Sequence, residues 1–119
     1  MSNVRLLHKV ITGLIIALGC LHIAFTPFNY TNFDMDAMWF VSAGVAIILA
    51  GFLNVAVIRI GNDRVVRSLC IFTNMTFAVL FALALFQMGQ PQVFVGLVLF
   101  AVAAVCALFT SRRSHKDSA

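Results

Sequence analysis

Four stretches of this chain, at about residues 6–26, 37–60, 65–88 and 92–110, are long, apolar and almost free of charge. Each is about 19 to 24 residues long. A helix rises about 1.5 Å per residue, so each stretch is long enough to cross the roughly 30 Å of hydrocarbon in a bilayer. Strands that cross a membrane are about half as long and alternate in polarity. These stretches do not alternate, so the pattern predicts helices. Composition agrees: 62% of the 119 residues are hydrophobic and only 10% are charged. Soluble domains run near half apolar and about a quarter charged. So small a chain has too much surface for its few polar residues to cover, unless acyl chains solvate it.

Charge placement supplies orientation. The chain has eight Lys and Arg, four Asp and no Glu. Arg5 and Lys9 precede the first span, Arg59, Arg64 and Arg67 flank the turn between the second and third, and Arg112, Arg113 and Lys116 follow the fourth. Four spans place all eight on one side, leaving only Asp34 and Asp36 on the other. The positive-inside rule then predicts an up-down-up-down four-helix bundle with both termini cytoplasmic and residues 27–36 outside. Trp39 and Tyr30 fall near the outer boundary, where amphipathic rings are favoured. Arg5, Lys9 and the run from Val10 to Leu21 have the outline of a signal peptide. The apolar stretch continues to Phe28, however, and no small-x-small cleavage site follows, so it reads as a retained span. The expected organisation is one membrane domain over residues 1–111 and a disordered tail over 112–119. Small all-helical form without a targeting sequence fits the inner membrane of a bacterium.

Polar residues within the spans carry most of the functional information, because each needs a partner in hydrocarbon. On the first span Arg5, His8, Thr12, Gly19, His22 and Thr26 share one stripe, which should face the bundle. His22 lies about one turn below the outer end. Counting along the helices puts Trp39, Ser42 and Gln87 at a similar depth, so an outward-facing ligand pocket is expected from His22, Trp39, Ser42 and Gln87. The competing reading is a histidine hydrogen-bonded to a neighbouring helix for packing alone. Asn54 and Asn74 flank the 61–64 turn at depths that differ by roughly 4 to 5 Å, which predicts a polar pair between the second and third spans. Gly13, Gly19, Ala43, Gly44, Ala50, Gly51 and Gly96 are candidates for close helix approach.

Several chemistries have no support in the residues. Cys20, Cys70 and Cys106 match no zinc or redox spacing. His8 and His22 are fourteen residues apart, roughly 21 Å along a helix, too far to bind one iron together. No cluster of His and carboxylates, Ser-His-Asp set or phosphate loop appears. No catalytic residue, metal site or cofactor is therefore assigned, and the basic charges have no soluble face to offer nucleic acid. Length and span number are like those of the small multidrug resistance transporters. Those couple to protons through a glutamate in the first helix, which this chain lacks.

The segments GLIIALGCLHIAF, residues 13–25, and WFVSAGVAIILAGFLN, residues 39–54, resemble small four-helix bacterial membrane proteins of the DoxX-like group. That resemblance covers about half the chain and rests on Gly, aromatic and His placement. It implies a link to redox partners or quinones, although no redox cysteine pair is present here. Two roles follow. One is a non-enzymatic accessory or interaction module whose partners are the lipid bilayer, a second copy or a larger membrane complex. The other is binding or conversion of a hydrophobic small molecule, such as a quinone or lipid, near His22.

Overall fold

The structure is a computed structural model and describes residues 2–110. The tail expected at 112–119, with Arg112, Arg113 and Lys116, lies outside the described residues. Among the described residues every regular element is helical: α1 (Ser2–Ala24), α2 (Thr26–Asn29), α3 (Met35–Ile60), α4 (Arg64–Gln87) and α5 (Pro91–Phe109). The four long helices are each long and apolar enough to cross a membrane. They sit within four residues of the spans expected from hydropathy, and the shifts have local causes. Asp34 caps α3, its side chain accepting from the backbone N–H of Ala37 at 3.0 Å, so the helix begins at Met35 rather than Ala37. Such a cap satisfies a donor that the first helical turn leaves free. Asp63 caps α4 in the same way, accepting from Val65 N–H at 2.8 Å and Val66 N–H at 3.0 Å. The expected 27–36 loop is shorter than predicted, because Pro27 sits in the first turn of α2, a position where its missing N–H costs nothing.

α1 packs chiefly on α3, and α4 on α5; contacts of α1 with α5 and of α3 with α4 close the bundle. The close approach of α1 to α3 depends on glycine. A Cβ on Gly19 would lie 2.9 Å from the carbonyl oxygen of Gly44 and 2.6 Å from Ile48 Cγ1. One on Gly44 would lie 2.6 Å from Ile23 Cγ1. Gly13 makes no such contact: nothing lies within 4 Å of its would-be Cβ. Ala43 is exposed to its surroundings rather than packed in the bundle. Those two are corrections to the expected set of packing positions, since helical spacing alone does not say which small residue meets a neighbour.

The core draws on all four long helices. Ile11, Ile15, Ile47, Ala50, Leu99, Phe100 and Ala103 are buried together, with Phe77 and Phe81 packed against them. The Phe100 ring stacks on Phe77 at 4.7 Å and on Phe81 at 5.8 Å between centroids. Outside this core the bundle is coated with large apolar side chains, among them Leu14, Leu49, Phe72, Val79, Phe86, Val98 and Val105. Water penalises such a surface and hydrocarbon does not. α4 is the least covered helix; of its residues only Cys70 and Asn74 are fully buried.

Candidate functional site

Two polar centres lie at opposite ends of the bundle. The first is closed and joins all four long helices. Asn54 on α3 and Asn74 on α4 form a reciprocal amide pair, each Nδ2 donating to the other's Oδ1 at 2.9 Å. Asn54 Nδ2 also donates to the Ala50 carbonyl at 2.9 Å. The Cys70 thiol donates to Asn54 Oδ1 at 3.2 Å. His8 on α1 lies with Nε2 2.8 Å from Asn54 Oδ1 and Nδ1 3.0 Å from Thr110 Oγ1 at the end of α5. An amide oxygen only accepts, so Nε2 carries the proton. In the neutral ring Nδ1 then accepts from the Thr110 hydroxyl. His8, Asn54, Asn74 and Cys70 are completely buried, and every polar atom of these side chains has a partner. Such a set holds helices together without offering a ligand a free group.

The second centre is open. His22, near the end of α1, stacks on Phe40 of α3 with ring centroids 3.8 Å apart and planes inclined by 17°. Tyr30 meets the same Phe40 ring at 5.4 Å. His22 Nε2 is buried and has no hydrogen-bond partner among the described residues. Two clefts meet at this ring. One of about 330 Å³ runs past Leu18, Leu21 and Phe25 to the amides of Asn29, Gln90 and Gln92. The other, of about 480 Å³, runs between α3 and α4 past Trp39, Ala43, Ile47, Phe77 and Leu80, with Tyr30 and Asp36 also in its wall. His22, Phe40, Phe81, Met88 and Val93 line both. Phe81 holds its place because Gly96 offers no side chain: a Cβ there would collide with the Phe81 ring.

Of the four residues expected to form the pocket, His22 and Trp39 line the clefts and Ser42 and Gln87 do not. Ser42 and Gln87 are both exposed on the outer surface of the bundle. Counting residues fixes depth but not rotation. At about 100° per residue, Ser42 points roughly 200° away from Phe40. Met88, seven residues beyond Phe81, returns to the Phe81 face, whereas Gln87 does not. The polar amides at this end are instead Asn29, Gln90 and Gln92. Asn54 and Asn74 are brought together in the closed centre. Sequence reasoning misses His8 as their partner, because it lies between Arg5 and Lys9 and reads as part of the basic flank. The available signal is its place on the inward stripe, together with Thr110 at the matching end of the last span.

The residues thus define an all-helical bundle of four membrane-length apolar helices, closed by polar bonds at one end and cleft at the other. Compared with protein-family models, curated proteins and solved structures, the chain matches none.

Proposed function

We propose that this chain is a four-span inner-membrane protein that binds a hydrophobic small molecule in the clefts around His22. Its helices run up, down, up and down, with both termini in the cytoplasm. What supports that topology is the meeting of His8 with Thr110, which brings the start of α1 beside the end of α5, and the eight basic residues that the sequence gathers at that end. The observation that carries the binding function is that His22, whose buried Nε2 has no hydrogen-bond partner among the described residues, lines two apolar clefts. A buried polar nitrogen without a partner costs stability, commonly about 1–3 kcal/mol. A ligand that supplies the missing bond recovers that cost, and the apolar walls supply affinity. A quinone or a lipid has the required combination of polar head and apolar body, and the DoxX-like resemblance points the same way. The test is thermal melting in detergent with decylubiquinone and other hydrophobic probes. At least one probe raises the melting temperature of the wild type, and His22→Ala removes the effect. A wild type that melts at one temperature with every probe refutes the reading.

A second reading, an accessory subunit of a larger membrane complex or a self-associating module, is favoured by α4. Its outer face presents Leu69, Phe72, Met75, Val79, Leu83 and Phe86 around a shallow depression of about 280 Å³. Mild detergent extraction from the native membrane distinguishes it: a fixed partner co-purifies, and a lone monomer in every detergent excludes it.

A further inference from the structure

We infer that the occupant of the larger cleft is a hydrophobic cation; this rests on the ligand-binding reading of the His22 end and specifies the class of ligand. Asp36, Trp39, Phe40 and Ala43 stand at positions i, i+3, i+4 and i+7 of α3, one face of the helix. All four line the cleft, and Asp36 is its only carboxylate. Tyr30 brings a third aromatic ring, 5.4 Å from Phe40.

The charge environment is one-sided. The sequence has no Lys or Arg between Lys9 and Arg59, nor between Arg67 and Arg112. The outer halves of all four helices therefore hold no Lys or Arg that could neutralise Asp36, and the one nitrogen base in the cleft wall is His22, whose ring is stacked on Phe40. Asp34, the other carboxylate at this end of α3, is engaged elsewhere, capping the helix through Ala37 N–H. A carboxylate in the wall of an apolar cleft, with no Lys or Arg in that wall and with Trp, Tyr and Phe rings lining the same cleft, repels anions and attracts cations. The negative faces of the rings add to that attraction. The cation's apolar groups then lie against Ile47, Phe77, Leu80 and Phe81. A neutral head gains no charge–charge attraction from Asp36, and an anionic head is repelled by it.

Trp39 is the only tryptophan of the chain, so its fluorescence reports occupancy of the cleft directly. The purified protein in zwitterionic nanodiscs is titrated with tetraphenylphosphonium, with its near-isosteric anion tetraphenylborate, and with neutral decylubiquinone. The expected result is saturable quenching by the phosphonium at a Kd about tenfold or more below that of the borate. Asp36→Asn raises the phosphonium Kd by about tenfold or more and leaves the borate no weaker. Asp34→Asn, which removes the same charge outside the cleft and leaves a side chain that still caps the helix, changes the phosphonium Kd by less than about twofold. Equal affinity for the two ions, tighter binding of the borate, or Asp36→Asn and Asp34→Asn behaving alike overturns the inference. If only decylubiquinone quenches saturably, and His22→Ala abolishes that, the cation assignment fails while the ligand-binding function stands. If none of the three probes saturates, both fail.

Discussion

The two ends of the bundle each contain a buried histidine nitrogen and have opposite chemistry. At one end the His8 ring has a partner on both nitrogens, and Asn54, Asn74, Cys70 and Thr110 complete a network contributed by all four long helices. At the other, His22 has an aromatic ring against one face, a free buried nitrogen and open space beside it. Where polar groups satisfy one another, helices are held in register; where they do not, and space remains, a ligand has something to gain. On the proposed reading the same residue type serves packing at one depth and recognition at another; what sets His22 apart from Thr12 Oγ1 and Arg67 Nε, which are also buried without a partner, is that it lines open clefts.

This contrast is most exposed at Asn54. Asn54→Leu strands the His8 N–H and the Asn74 amide in hydrocarbon and should cost about 3 kcal/mol of stability. His22→Ala loses a ring stack and should cost within about 1 kcal/mol. Equilibrium unfolding in mixed micelles checks this, and equal losses would erase the distinction between the ends. Gly96→Ala comes next. The new methyl displaces the Phe81 ring, which lines both clefts, at a cost of about 1–2 kcal/mol. Probe quenching of Trp39 should weaken while the His8 network stays intact. A double-mutant cycle of His8→Ala with Asn54→Ala should give a coupling of about 0.6 kcal/mol, the average for hydrogen bonds between membrane helices, and no more than about 1.7 kcal/mol, the largest such value. A coupling near zero would mean that the His8 bond contributes nothing to holding α1 on α3. Smallest of all, Ser42→Ala and Gln87→Ala should change stability by no more than about 0.5 kcal/mol and leave probe affinity unaltered. A clear loss of affinity in either would return those side chains to the site.

The sequence was informative wherever one coordinate sufficed. Hydropathy along the chain located the long helices, because crossing hydrocarbon demands a run of fixed length. Depth counted from the 61–64 turn paired Asn54 with Asn74. The limit was reached where rotation about the helix axis mattered. Ser42 and Gln87 lie at the expected level but on the wrong faces, and Met88 and Phe40 take the places assigned to them. The role of Asp34 was equally hidden. Its carboxylate caps α3, while Asp36, two residues on, lines the cleft, and only the geometry tells the roles of the two acids apart.

An experimental structure of the protein in lipid nanodiscs is the sharpest check on this division between the ends. It should show non-protein density in contact with His22 Nε2, with the Asn54–Asn74 pair and its His8 contact closed and dry at the other end. Side chains filling both clefts, with His22 Nε2 bonded to a neighbouring helix, would contradict it.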